Sequence, residues 1–238
     1  MTISKQPTHQ QMRGRVIYLL TIAVLLNVLY PITEINTVFN VLYVASYALL
    51  LGFGTYVIAV NRTRLIATSA VALLTFVVNM IWVFNPASVP FTLGAYGLLV
   101  MFHLLMIVVL TDFIFTTQRV TREVLYAAIT VYILIGDLFI PLFMVIETLT
   151  RTLQDTAAFI IASTPDVPIT WQRMSFFSYI TLTSTGYGDV LPVTTVAQAA
   201  AMLEAVIGVL YIAVLMARLV GLYAEDLSER KAQGREDE

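Results

Sequence analysis

Apolar runs of membrane-spanning length alternate along the chain with short polar clusters. Six stretches, 16–32, 38–60, 65–84, 91–115, 124–146 and 194–223, are continuously apolar enough to span as helices, because a ~30 Å hydrocarbon core needs roughly 17–25 helical residues. A further segment, 171–183, reaches only ~20 Å as a helix and must turn back part-way. The pattern predicts an all-α membrane fold: six transmembrane helices, with one re-entrant half-helix between the last two. It divides the chain into a tail at 1–15, four helices over 16–115, a linker at 116–123 and a second helical unit over 124–223. That unit comprises an outer helix at 124–146, an outer segment at 147–170, the half-helix at 171–183, a loop at 184–188 and an inner helix at 194–223, before a tail at 224–238.

Composition changes the picture little and narrows it. The chain is 59% hydrophobic and 12% charged, with mean hydropathy +0.85, whereas a soluble domain carries about 25% charged residues. With no cysteine, neither disulfide staples nor thiol chemistry are expected. A formal charge of −2 gives no footprint for nucleic acid. Basic residues set the orientation. Lys5, Arg13, Arg15, Arg62, Arg64, Arg119, Arg122, Arg218, Arg230, Lys231 and Arg235 fall on one side, and only Arg151 and Arg173 on the other. That asymmetry puts both termini in the cytoplasm and the loop at 184–188 outside. No small-residue cleavage site precedes Asn27, so the first span is expected to be retained.

The chemistry sits behind the half-helix, in Thr183-Ser184-Thr185-Gly186-Tyr187-Gly188-Asp189. A dehydrated potassium ion needs a cage of oxygens, and stacked rings of backbone carbonyls from four extended loops supply one. Aiming successive carbonyls at one axis takes the backbone through conformations that residues with a Cβ avoid, which accounts for Gly186 and Gly188. Tyr187 is expected to point away from the axis and brace the loop from behind, and Ser184 to add a hydroxyl to the innermost ring. Gly-Tyr-Gly-Asp in isolation reads as an ordinary turn. The half-helix before it reverses that reading, since its partially negative C-terminus points to the membrane interior, where a partly hydrated cation would wait.

The stretch 173–224 resembles the pore of tetrameric potassium channels, whose usual filter reads Thr-Thr-Val-Gly-Tyr-Gly-Asp. This chain has Ser184 where the family usually has threonine, and Thr185 where it usually has valine. Neither change removes a backbone carbonyl. The resemblance implies potassium ions held by Ser184, Thr185, Gly186, Tyr187 and Gly188, with Thr183, Asp189 and Glu204 as supports. It also implies a hinge or a packing contact at Gly208, a cavity lined by Val209, Ile212 and Met216, and a constriction near Val220. One filter segment per chain requires a homotetramer around a fourfold axis. In the six-helix members of the family, helices one to four form a voltage-sensing domain. Here the fourth helix carries no arginine or lysine, and its ionisable residues are His103 and Asp112. Each charge crossing the field contributes ~2.3 kcal/mol per 100 mV, so weak or no intrinsic voltage dependence is expected.

Ionisable groups inside the spans are costly and point to function. His103 and Asp137 lie near the middle of antiparallel spans and are expected to meet, as a proton-sensing pair or a packing bond. Glu204 is expected behind the filter, bonded to Thr181 or Tyr179. Pro141 should kink the fifth helix or interrupt its hydrogen bonding, and the outer segment 147–170 reads as a polar turret. The tail beyond Tyr223 is expected to leave no room for a ligand-binding domain. Gating is then left to the membrane helices, the filter or an unidentified regulatory partner.

No catalytic constellation competes, and no organic cofactor or nucleic-acid partner is expected. The expectation is a non-enzymatic, potassium-selective channel surrounded by lipid in a cell membrane. Compact size and absent cysteines suggest a prokaryotic origin. The alternatives are a weakly selective cation channel and a non-conducting regulatory membrane subunit.

Overall fold

The computed structural model describes residues 15–58, 62–117 and 121–236. Most of the N-terminal tail, the glutamine, arginine and valine at 118–120 that include Arg119, and the last two residues lie outside the described residues.

Among the described residues, seven α-helices and one two-stranded ribbon make up the fold, which is all-α in class. They run α1 (Arg15–Leu29), α2 (Thr37–Ile58), α3 (Arg62–Phe84), α4 (Val89–Thr116), α5 (Arg122–Gln154), β1 (Phe159–Ile161), α6 (Trp171–Leu182), β2 (Val190–Pro192) and α7 (Thr195–Glu236). Five helical stretches are long and apolar enough to cross a membrane: Arg15–Glu34, Val38–Tyr56, Val89–Thr116, Arg122–Gln154 and Thr195–Ala224. The third of the six expected spans differs, because the apolar part of α3 is only Thr68–Phe84. Its preceding turn carries Arg62 and Arg64, which belong in water.

Local chemistry sets the helix ends. Pro31 opens a short 3-10 helix, Tyr30–Glu34, that bends the chain out of α1. Pro90 sits in the first turn of α4, where a missing N–H costs nothing. At α5, the Thr121 side chain accepts from the Val124 N–H, and Glu123 complements the positive end of the helix dipole. The helix closes on Asp155, in the left-handed region at φ 54°. It therefore runs eight residues past the expected end at 146, because the outer segment begins with two further helical turns. Likewise α7 continues from the membrane stretch to Glu236, so the backbone of the C-terminal tail is helical.

Helices α1 to α4 pack side by side, and α4 and α1 both lie along α5 of the same chain. Only five residues separate α4 from α5, a connection that turns the chain straight back. Leu110, Phe113 and Ile114 of α4 and Val124, Ala127, Ala128 and Val131 of α5 are all buried in one core. The four-helix unit is thus held against the second helical unit of its own chain.

The outer segment is more ordered than a polar loop. Antiparallel β1 and β2 pair Phe159 with Pro192, Ile160 with Leu191 and Ile161 with Val190. Glu147, 3% exposed, holds this ribbon to α5. Its Oε2 accepts from the N–H groups of Ala158 at 2.8 Å and Phe159 at 3.0 Å, while Oε1 receives the Arg151 Nε–H. Phe143, Phe159 and Phe177 fill the space beneath, with centroids 5.3 to 5.6 Å apart. Removing a charged acceptor from two buried N–H groups costs about 3 kcal/mol. Glu147→Ala should therefore lower the thermal midpoint clearly in detergent, and Glu147→Gln, which keeps one acceptor oxygen, should fall between the two.

Candidate functional site

Twelve residues of α6, Trp171–Leu182, give a half-helix of ~18 Å. Thr170 caps its start by accepting from the Arg173 N–H at 3.4 Å. Two glycines let neighbouring helices approach it closely. On one side, a Cβ at Gly136 of α5 would stand 2.9 Å from the Tyr179 ring. On the other, a Cβ at Gly208 of α7 would stand 2.2 Å from the Leu182 carbonyl oxygen. Helix α7 runs through Gly208 without a break. The geometry thus gives Gly208 the role of a close packing contact.

Beyond Leu182 the backbone leaves the helix. Ser184, Gly186 and Gly188 have φ of +56°, +57° and +76°, while Thr185 and Tyr187 between them do not have positive φ. A loop whose alternate residues sit in the left-handed region turns successive carbonyls towards a common side, in place of the alternation of a strand. Glycine supplies this freely at 186 and 188. At Ser184 the same conformation is held against a Cβ, and sequence reasoning offered no sign of it. The loop hangs from the end of α6 by its own N–H groups. Ser184 donates to the Thr181 carbonyl at 2.9 Å, and Thr185 and Gly186 donate to the Ile180 carbonyl at 2.8 and 3.2 Å. Thr183 and Thr185 join hydroxyls at 2.9 Å, so the polar group that replaces an apolar one at 185 has a partner. At the outer end, the Asp189 carbonyl accepts from Ala162 N–H at 2.8 Å, next to the β1–β2 pair. The Asp189 Oδ1 is buried without a hydrogen-bond partner.

Tyr187 turns its ring to the half-helix. It is 72% exposed and lies parallel to the Phe176 ring at 6.0 Å. Val209, Ile212, Met216 and Val220 on α7 are also exposed in the single chain. Only 11% of the apolar stretch of α7 is buried, against 56% for α5.

Glu204, with no exposed surface, does stand behind α6, but its partner is Ser178 rather than Thr181 or Tyr179. Ser178 Oγ is 2.5 Å from Glu204 Oε1 and 2.9 Å from the Gly136 carbonyl. Ser178 lies one residue before Tyr179 and three before Thr181, and the close approach at Gly208 sets how far α7 slides along α6. His103 and Asp137 do not bond to each other. His103 Nε2 meets the Tyr47 hydroxyl at 2.5 Å and Nδ1 the Leu99 carbonyl at 2.7 Å. Asp137 Oδ1 accepts from Asn27 Nδ2 at 3.0 Å and from the Tyr179 hydroxyl at 2.9 Å. Both residues line one cavity from different helices. Helix α5 continues through Pro141, and the proline deprives the Asp137 carbonyl of its usual helical donor. Arg218, expected at the membrane exit, donates through Nη2 to the carbonyls of Phe115 and Thr117 at 2.9 and 3.1 Å. It ties α7 to the end of α4.

Asn27, Tyr47, Gly136 and Ser178 were not singled out by the sequence. A single polar residue in an apolar span marks Asn27, but nothing in the order of residues says which helix it faces.

Residues 148–225 match the family model described as Ion channel, about a third of the 238-residue chain. The matched stretch begins near the end of α5 and takes in the ribbon, α6, the filter loop and the membrane part of α7. No curated protein and no solved structure matches the chain. An all-α fold with several membrane-length helices, carrying a segment similar to ion channels, is the class that sequence and structure define together.

A side chain at Gly208 cannot share space with the Leu182 backbone, and forcing one in costs about 1–3 kcal/mol. Gly208→Ala should lower the thermal midpoint measurably, and Gly52→Ala, with open space around its Cβ, should not. Equal melting of the two variants would remove the packing role assigned to Gly208.

Proposed function

We propose that this chain is one subunit of a potassium-selective channel in which four copies surround a central pore, with weak or no intrinsic voltage dependence. The observation that carries the reading is the backbone of 184–188. Positive φ recurs at Ser184, Gly186 and Gly188, in a loop hung from the C-terminus of a half-helix. Four such loops around an axis give stacked rings of carbonyl oxygens that replace the hydration shell of potassium. The negative end of each α6 dipole favours a cation approaching from the inner side.

The tetramer is supported by what one chain leaves uncovered. The filter loop, Tyr187 and the apolar face of α7 are exposed together, and four copies would cover them while leaving Val209, Ile212 and Met216 on the ion path. Val220 would then form the inner apolar ring, which closes a pore by shedding water. The absence of arginine and lysine from α4 supports weak voltage dependence, since no charge of that helix is available to move in the field. In this reading the protein crosses a prokaryotic cell membrane six times, with both termini in the cytoplasm and the β1–β2 ribbon outside. Conduction is passive, without an organic cofactor or a catalytic step.

Purified protein in planar bilayers under opposed potassium and sodium gradients tests the proposal. The expected result is a reversal potential near the potassium equilibrium with currents nearly flat in voltage. A reversal near zero would favour a weakly selective cation channel, and silence in all conditions a regulatory subunit. Gly186→Ala places a Cβ at φ +57°, costing ~1–2 kcal/mol per subunit, and should abolish selectivity or current while leaving assembly intact. The chain has no native cysteine, so Val209→Cys alone should cross-link neighbouring subunits under oxidation. Failure to form any cross-linked species would count against the central placement of α7.

A further inference from the structure

A cavity of about 90 Å³ lies where the four-helix unit meets α5 and the start of α6. That volume admits about three waters. Six aromatic side chains line it, Tyr43, Tyr47, Phe76, Trp82, Tyr96 and Trp171. Two pairs are in close contact, Tyr43 with Trp171 and Trp82 with Tyr96, each with centroids 5.3 Å apart.

Its polar groups include one carboxylate and no cation. Asp137 contributes its carboxylate, and the carbonyl of the same residue lacks its helical donor because of Pro141. Asn40 Oδ1 is buried with no hydrogen-bond partner. Three of the lining nitrogens are already engaged: Asn79 Nδ2 with the carbonyls of Thr75 and Ala95, Trp82 Nε1 with Thr92, and Asn27 Nδ2 with Asp137. His103 has both ring nitrogens engaged. No lysine or arginine lines the cavity, and the one ion pair among the described residues, Glu147 with Arg151, lies elsewhere. A carboxylate in an aromatic-lined cavity, without a cationic partner among the described residues, can receive a cation. Aromatic faces attract ammonium groups through their quadrupole, most strongly where water is excluded.

We propose that this cavity binds a small organic ammonium ion, received by the aromatic walls and the Asp137 carboxylate. Its volume suits a methylated ammonium head and excludes long alkyl chains. Occupancy bears on α6 directly, because Asp137 accepts from Tyr179 of that helix, and Trp171 is its first residue. Binding stands on the cavity alone, whereas an effect on current rests on the potassium-channel reading.

The chain's two tryptophans, Trp82 and Trp171, both line the cavity, so their emission reports its occupancy. The full-length protein in detergent would be titrated with tetramethylammonium at constant ionic strength in high potassium chloride, which competes for a pore site. A saturable change in tryptophan emission is expected, and none from tert-butanol, which is similar in shape but uncharged. Tyr43→Leu and Asp137→Asn should each weaken binding about tenfold, the factor that goes with losing one desolvated contact to the cation. Tyr43→Phe, which keeps the ring, should bind as the native chain does. Absence of a saturable change, an equal response to tert-butanol, or unaltered affinity in both weakened variants would overturn the proposal. None of these outcomes bears on the reversal potential, so the two readings fail separately.

Discussion

The close seating of α6 between two glycines is the constraint on which the rest of the structure depends. Inside a bilayer, backbone groups must be satisfied within the protein, and irregular chain is tolerated only where protein or a water-filled cavity surrounds it. A twelve-residue helix ending in an extended loop meets that demand only if its neighbours hold it. Gly136 admits the Tyr179 ring and Gly208 admits the Leu182 carbonyl. Around these contacts Ser178 bridges to α5 and to Glu204 of α7, and Tyr132 reaches the Leu182 carbonyl at 3.5 Å. The last turn of the half-helix is thereby fixed from both sides, and its carbonyls can in turn hold the N–H groups of the filter loop.

The loop is fixed at its far end by different means. The ribbon accounts for the Asp189 carbonyl and, through Val193 N–H on the Ala158 carbonyl at 2.8 Å, for the chain beyond it. Glu147 anchors the ribbon to α5 below. A peptide of seven residues with three left-handed positions is therefore suspended between two rigid supports that belong to the same helix hairpin. Strain at Ser184 can persist because both ends are over-determined.

The four-helix unit bears on this pore by polar contacts at two depths. Asn27 of α1 and Tyr179 of α6 meet on one carboxylate of α5, and Arg218 joins α7 to the carbonyl end of α4. Guanidinium donors at a helix C-terminus satisfy carbonyls that have no partner within the helix and complement its dipole. A helix without basic residues is thus still linked to the inner helix, through its backbone end and not through moving charge.

Much of this was readable in the order of residues, because the reasons are local. The lengths of apolar runs set the number and type of helices, the short reach of 171–183 required a return, and Gly186 and Gly188 marked where backbone had to leave L-residue conformations. What the tertiary structure decided concerns rotation and sliding between helices, which no single segment encodes. That is why Glu204 meets Ser178 and neither Thr181 nor Tyr179, and why His103 and Asp137 face one cavity without touching. The same holds for Gly208, which seats a carbonyl in an unbroken helix. The turret's ribbon escaped too, since three-residue strands leave no periodic signal and the buried Glu147 that holds them looks like any surface carboxylate until the chain is folded around it.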